Sequence, residues 1–231
     1  MTKTGQNRSS AVMQQRSEPH DSLDDFPTPP WGGRALVVHV LKRVRRAGLL
    51  DSIAEFVGAT SLGRLWEPAC NRGFLLHGLS DYFDAAYGSD IFDYVGNDTV
   101  DFLFPSSEQK AVAALGGKPE WIISNPPFRL AEEFIERCRQ LAPAGGYAML
   151  VRTSFLEGVG RHKNLFTDNP PTVIAQYAER LPMVKGRCNP KAKSATSYCW
   201  LVWINGALRR DPLFVWIPPC RKALERAGDY A

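Results

Sequence analysis

This 231-residue chain lacks several features, and each absence narrows what it can be. There is no CxxC pair. The five cysteines (Cys70, Cys138, Cys188, Cys199 and Cys220) are odd in number and far apart, which argues against a disulfide framework or a zinc knuckle and fits a reducing cytoplasm. No apolar run approaches the ~18 residues of a membrane span. The opening MTKTGQNRSS has no apolar core of the kind a secretory signal carries, so none is expected. Neither sign of charge dominates: 28 Lys plus Arg against 24 Asp plus Glu leave +4, which permits a nucleic-acid partner without arguing for one. The histidines His20, His39, His77 and His162 are scattered, so no metal is expected, and His39 reads as a packed residue on an apolar helix face. No GxGxxG is present, which weakens a dinucleotide oxidoreductase. There are no internal repeats. A soluble cytoplasmic protein remains, with no membrane partner and an oligomeric state the sequence leaves open.

The apolar and charged fractions, 44% and 23%, are those of a chain that buries a core, and the length suits one domain. Residues 1–25 have almost no large apolar side chains and are expected to form a disordered tail, leaving 26–231 as the domain. Phe26-Pro27-Thr28-Pro29-Pro30-Trp31 is different: three prolines stiffen it, and Phe26 and Trp31 are anchors that can be buried. An amphipathic helix is predicted over 34–47, ended by Gly48, with a second over 50–57. Strands are predicted at 62–66, 85–89, 121–124, 147–151, 173–177, 198–204 and 214–217. Helices are predicted from Phe74 to Leu79 and from Leu130 to Ala142, the latter with Leu130, Ala131, Phe134, Ile135, Cys138 and Leu141 on one face. Strands separated by helices point to an α/β fold with a mostly parallel sheet, helices on both faces and an antiparallel C-terminal edge. Ligands then bind beyond the carboxyl ends of the strands.

Three loops fall there. Glu67-Pro68-Ala69-Cys70-Asn71-Arg72-Gly73 lies between a strand and a helix, where a tight turn lets backbone N–H groups approach a ligand and Glu67 can receive donors. The same residues also suit an ordinary capped loop. Asp90 ends the second strand, where an acid would hold a ribose diol or merely cap the next turn. After Trp121-Ile122-Ile123 comes Ser124-Asn125-Pro126-Pro127-Phe128. Two prolines lock an extended turn, the Asn125 amide and the Pro126 carbonyl become fixed acceptors, and the Phe128 ring sits beside them. Two acceptors next to a ring face describe a receptor for a planar base with an exocyclic amino group, although a rigid turn with a packed ring is the plainer alternative.

On these motifs the chain resembles the Rossmann-like class I S-adenosylmethionine-dependent methyltransferases, and in particular phage- and prophage-type DNA adenine-N6 methyltransferases with an Asn-Pro-Pro-Phe motif. The likeness runs from about residue 26 to 204. It extends through Met149-Leu150-Val151-Arg152, Phe155-Leu156-Glu157-Gly158 and Arg180-Leu181-Pro182-Met183. The resemblance implies that Thr28, Pro29 and Trp31, then Glu67, Pro68, Ala69, Asn71 and Gly73, bind S-adenosylmethionine. It also implies that Asp90 holds the ribose and that Asp101, with Phe102, meets the adenine. Asn125, Pro126, Pro127 and Phe128 would be catalytic. Where the pattern has glycine this chain has Asn71, so the reading requires Asn71 to take the left-handed backbone itself. The implied reaction is methylation of a base flipped out of DNA.

Two basic stretches suit phosphates: Lys185, Arg187, Lys191 and Lys193, and Arg152 with Arg161, His162 and Lys163. Solvated surface is the competing reading for both, and it is the reading adopted for Lys42, Arg43, Arg45 and Arg46. Cytosine N4, RNA or a protein glutamine are alternative acceptors for the same pocket, and a non-catalytic nucleic-acid-binding module is the alternative from another class.

Overall fold

Eight strands make one sheet in the order β3-β2-β1-β4-β5-β7-β6-β8. The computed structural model describes residues 24–43, 61–192, 194–207 and 211–230. The strands are β1 (Arg64–Glu67), β2 (Ala85–Asp90), β3 (Asp98–Thr99), β4 (Trp121–Ser124), β5 (Gly146–Arg152), β6 (Val173–Tyr177), β7 (Tyr198–Ile204) and β8 (Leu213–Ile217). β7 alone runs against its neighbours, pairing antiparallel with β5 and β6; the other ladders are parallel. The antiparallel strand expected near the C-terminus is therefore present but set inside the sheet, and the edge strand β8 runs parallel to β6. A dinucleotide fold has the order 3-2-1-4-5-6. Insertion of an antiparallel β7 between β5 and β6 separates this sheet from that fold and leaves a Rossmann-like, mostly parallel sheet with one reversed strand.

The burial pattern explains why these segments are strands. Every residue of β4 and β7 is buried, as befits central strands covered on both faces. β8 alternates, burying Val215 and Ile217 while Phe214 and Trp216 face outward, as befits an edge. One core layer takes Leu65, Trp121, Ile123, Leu150, Trp200 and Val202, and the other takes Trp66, Ile122, Met149, Cys199 and Leu201.

Helix α1 (Pro30–Leu36) continues through a π-type turn, Val37–Leu41. It starts four residues before the sequence-based boundary because Pro30 sits at its first position, where a missing N–H costs nothing. The remainder of that predicted helix beyond Arg43, and the helix predicted over 50–57, lie outside the described residues. Helices α2 (Phe74–Ser80) and α4 (Ala131–Leu141) match their predicted spans closely. Helix α3 (Ser107–Leu115) was not predicted, because its buried face, Ser107, Ala111 and Leu115, holds a single large apolar residue and gives a weak apolar period. Two shorter α-helices, α5 (Val159–Arg161) and α6 (Arg221–Leu224), follow among the described residues. Leu130 departs from its predicted face. It precedes α4 rather than belonging to it, and it is exposed. Among the described residues, no helix is long and apolar enough to cross a membrane.

Helix α1 packs closely on α2 because Gly78 has no side chain there: a Cβ on Gly78 would run into the Pro30 carbonyl. Backbone cannot move aside as a side-chain end can. Gly78→Ala should therefore destabilise the protein by about 1–3 kcal/mol, read as a lower urea midpoint. An unchanged midpoint would mean that the two helices separate freely.

Candidate active site

The carboxyl ends of β1, β2 and β4 lead into the three loops singled out from sequence. A cleft with about 770 Å³ of empty space, partly open to solvent, lies over them. In the first loop Asn71 has φ of 53° and Gly73 of 75°. Asn71 thus takes the left-handed backbone, which asparagine tolerates better than most residues. That turn aims the Asn71 N–H at Asp90 Oδ2, 2.8 Å away, while Asp90 Oδ1 accepts from the Phe92 N–H at 3.1 Å. Burial raises the Asp90 pKa, and these backbone bonds only partly oppose it. Glu67 is buried deeper still, at 1% exposure, and its Oε2 has no hydrogen-bond partner among the described residues. Burial first, and then the nearby Asp90 charge, push its pKa well above the ordinary range, against the pull of the Leu76 N–H.

Of the residues predicted to bind a cofactor, Thr28, Glu67, Pro68, Ala69, Asn71, Asp90, Asp101 and Phe102 line this cleft. Pro29, Trp31 and Gly73 do not. Trp31 is fully buried in the core, edge-on to Tyr177 at 6.0 Å, and so it anchors the segment rather than facing the cleft. Gly73 supplies the positive φ that turns the loop into α2. Thr28 donates to Met183 Sδ at 3.5 Å. Phe102 belongs mainly to the core, between Trp66 and Phe134.

The Asn125-Pro126-Pro127-Phe128 segment is a partition. Asn125 and Pro127 line the cleft. Pro126 and Phe128 line a second cavity of about 500 Å³, walled also by Ala131, Leu150, Arg152, Phe155 and Arg161. The Asn125 amide is held by its nitrogen, with Nδ2 donating to the Phe26 carbonyl at 3.0 Å. Its Oδ1 is buried and has no partner among the described residues. A buried, unpaired acceptor of this kind is costly and calls for an explanation.

Sequence reasoning missed the segment that fixes this orientation. Asp24 and Asp25 were assigned to a disordered tail, yet both are held. The Asp24 carboxylate accepts from the Phe128 N–H at 2.8 Å. Asp25 takes a two-pronged bond from Arg72, at 2.6 and 3.1 Å, and a third from Asn71 Nδ2 at 2.8 Å. Burial alone would raise the Asp25 pKa, but these donors outweigh it and lower it. The Asp25 carbonyl accepts from the Gly186 N–H at 2.8 Å, so the segment also ties down the basic loop. Nothing in a short polar stretch signals such contacts. Asp25→Ala should raise amide hydrogen exchange at Phe128 and Gly186 about tenfold, the equivalent of ~1.4 kcal/mol. Unchanged exchange would show that the clasp is not what holds them.

Lys185, Arg187 and Lys191 are exposed and line neither cavity; Lys193 lies outside the described residues. The cleft itself is acidic. Asp24, Glu67, Asp90 and Asp101 line it, and among the described residues no Lys, Arg or His does. The arginines, Arg152 and Arg161, are on the other side of the partition.

No protein-family model matches the chain, and no curated protein does. Among solved structures, a dimethyladenosine transferase from Plasmodium falciparum is 16% identical, with a TM-score of 0.36, over 68% of this chain and 61% of that one. The aligned part thus spans less than two thirds of the Plasmodium protein. The human methyltransferase 10 domain containing protein is 12% identical, with a TM-score of 0.38, over 73% of this chain and 83% of its own. The 23S rRNA methyltransferase ErmE is 12% identical, with a TM-score of 0.33, over 73% and 70%. At these values nothing about substrate or cofactor carries over, and function is read from the site.

Proposed function

We propose that this protein transfers a methyl group from S-adenosylmethionine to an exocyclic amino group of a nucleobase in DNA, adenine N6 first. The observation that carries the reading is the partition: a cleft with four carboxylates and no cation on one side, an arginine- and aromatic-walled cavity on the other, and the unpaired Asn125 Oδ1 between them. A largely apolar cleft whose charged lining residues, among the described residues, are all acids disfavours the pyrophosphate of a dinucleotide and suits a ligand with sulfonium and ammonium charges. S-adenosylmethionine supplies an electrophilic methyl group when bound. Asp90 and Asp101 offer acceptors to hydroxyl and amino groups, and Glu67 offers its free oxygen to a donor. On the acceptor side Asn125 Oδ1 and the Pro126 carbonyl take the two amino hydrogens, and Phe128 stacks on the ring, so positioning is the chief catalytic effect. The N–C bond forms as the S–C bond breaks, S-adenosylhomocysteine leaves, and one amine proton passes to solvent.

The test is to incubate the protein and labelled cofactor with DNA and, in parallel, with RNA, and then to digest to nucleosides. N6-methyladenine from DNA is the expected product. N4-methylcytosine or a product confined to RNA would move the assignment, and binding without transfer would leave a non-catalytic module.

The raised Glu67 and Asp90 pKa values set the sign of a pH effect. A cationic ligand favours their ionised forms, so its binding expels protons. Cofactor affinity should therefore rise as pH climbs from the ordinary glutamate value of 4.5 through the raised range, with proton release detected by calorimetry in buffers of different ionisation enthalpy. Affinity independent of pH, with no proton release, would remove these acids from the binding site.

A further inference from the structure

The ring of Phe128 is already engaged in the free protein. Phe26, which lines the cleft, packs on it with centroids 5.4 Å apart and planes inclined by 37°. Arg152, which lines the second cavity, holds its guanidinium carbon 4.1 Å from the ring centroid. The two arginines of that cavity differ. Arg161 is committed: it donates to the Phe155 carbonyl at 2.8 Å, lies over the Phe155 ring and pairs with Glu132 at 3.3 Å. Arg152 is the last residue of β5 and is exposed, and its polar contact is with a neutral group, the Tyr198 phenol. Its guanidinium lies near the Tyr198 phenol, whose pKa burial raises and Arg152 lowers.

We infer that the Arg152 guanidinium stands on Phe128 where the acceptor base is to lie, and that an arriving base displaces it toward the phosphate beside that base. This deepens the proposed function and rests on it. A guanidinium and a nucleobase are both planar, delocalised groups that bind an aromatic face, so they compete for one position. The arginine's loss of the ring is repaid only if it gains a phosphate, with which it makes a two-pronged bond. A free nucleoside brings no phosphate and must displace Arg152 without compensation. A nucleotide within a strand brings one. Arg152 is thus a specificity-determining residue that favours polynucleotide over free nucleoside.

The test uses the fluorescence of 2-aminopurine, presented as the free riboside and within a single-stranded oligodeoxynucleotide, with the full-length protein. Arg152→Ala should bind the riboside about 3-fold tighter, the reach of an exposed cation–π contact. It should bind the oligonucleotide about 10-fold weaker, with the slope of log affinity against log salt reduced by about one. Arg152→Lys keeps the charge without the plane, and should tighten riboside binding while leaving the oligonucleotide near the native affinity. Opposite signs for the two ligands are the signature. Riboside binding that is unchanged, weakened or absent in Arg152→Ala overturns the inference. So does equal weakening of both ligands, which would make Arg152 a piece of cavity wall. Failure of the native protein to methylate any nucleic acid would count against the proposed function instead, and the riboside comparison separates the two because it needs no turnover.

Discussion

Asn125→Ala should lower the rate of methyl transfer by about 10²–10³-fold, the usual cost of removing one hydrogen-bonding group that acts at the reacting centre. Cofactor affinity should change little, because the chief acids of the cleft, Glu67 and Asp90, come from other loops. The stability change should also be small. Truncation leaves the Phe26 carbonyl without the Nδ2 donor, but it removes a buried Oδ1 that has no partner. These effects oppose each other, each being about 1–3 kcal/mol. Single-turnover transfer of labelled methyl, beside calorimetric cofactor titration and a melting curve, makes the comparison. A variant that transfers methyl at the native rate would take Asn125 out of the reaction. A variant that simply melts would make it structural.

The largest expected loss of stability lies far from the cleft. Arg34 in α1 is 1% exposed and Asp229 is likewise buried, joined by two bonds of 2.7 and 2.8 Å, and Arg34 also donates to the Leu224 carbonyl. Burial alone would raise the Asp229 pKa; the Arg34 guanidinium and the Arg226 N–H overcome it and lower it. Removing Asp229 leaves the buried Arg34 with Asp81, 3.5 Å away and more exposed, as its remaining carboxylate. Asp229→Ala should therefore cost about 3–5 kcal/mol, a large share of the roughly 5–15 kcal/mol that holds a domain together. The melting temperature should fall by about 10 °C. Replacing both residues, as Arg34→Met with Asp229→Leu, should recover most of the loss. A depressed carboxyl adds stability above its unfolded pKa and loses it as pH falls through the folded value. The native protein should accordingly lose stability below 3.8 more steeply than Asp229→Ala, which keeps only the part that other depressed carboxyls such as Asp25 contribute. Equal melting of native and Asp229→Ala proteins would show that the pair contributes nothing.

The two sites differ in how much of them was legible in the sequence. Trp121–Ser124, Val173–Tyr177 and Tyr198–Ile204 are strands over their predicted spans, because a short, wholly or alternately apolar run is itself the physical cause of a buried strand. The loops after Glu67, Asp90 and Ser124 were legible for the same reason: they follow strand ends, and a parallel sheet gathers those ends along one rim. Asn71 could be predicted to turn left-handed because that preference belongs to the residue. Helix α3 was missed because a buried face of Ser107, Ala111 and Leu115 carries little apolar signal. Leu130 was placed on a buried face because periodicity cannot tell the last loop residue from the first helical one.

Local chemistry and periodicity are properties of neighbours in the chain, and they determined by themselves which segments are strands and which loops follow the strand ends at the rim, the one that carries Asn125 and Phe128 among them. Tertiary structure alone decided the rest. It brought Asp25 to Arg72, Phe26 to Asn125, and Arg34 to Asp229 across 195 residues. It also put the acids on one side of the Asn-Pro-Pro-Phe partition and the arginines on the other. A polar side chain leaves no trace of its distant partner in the sequence, since many partners would satisfy the same charge, and only the closed fold selects among them.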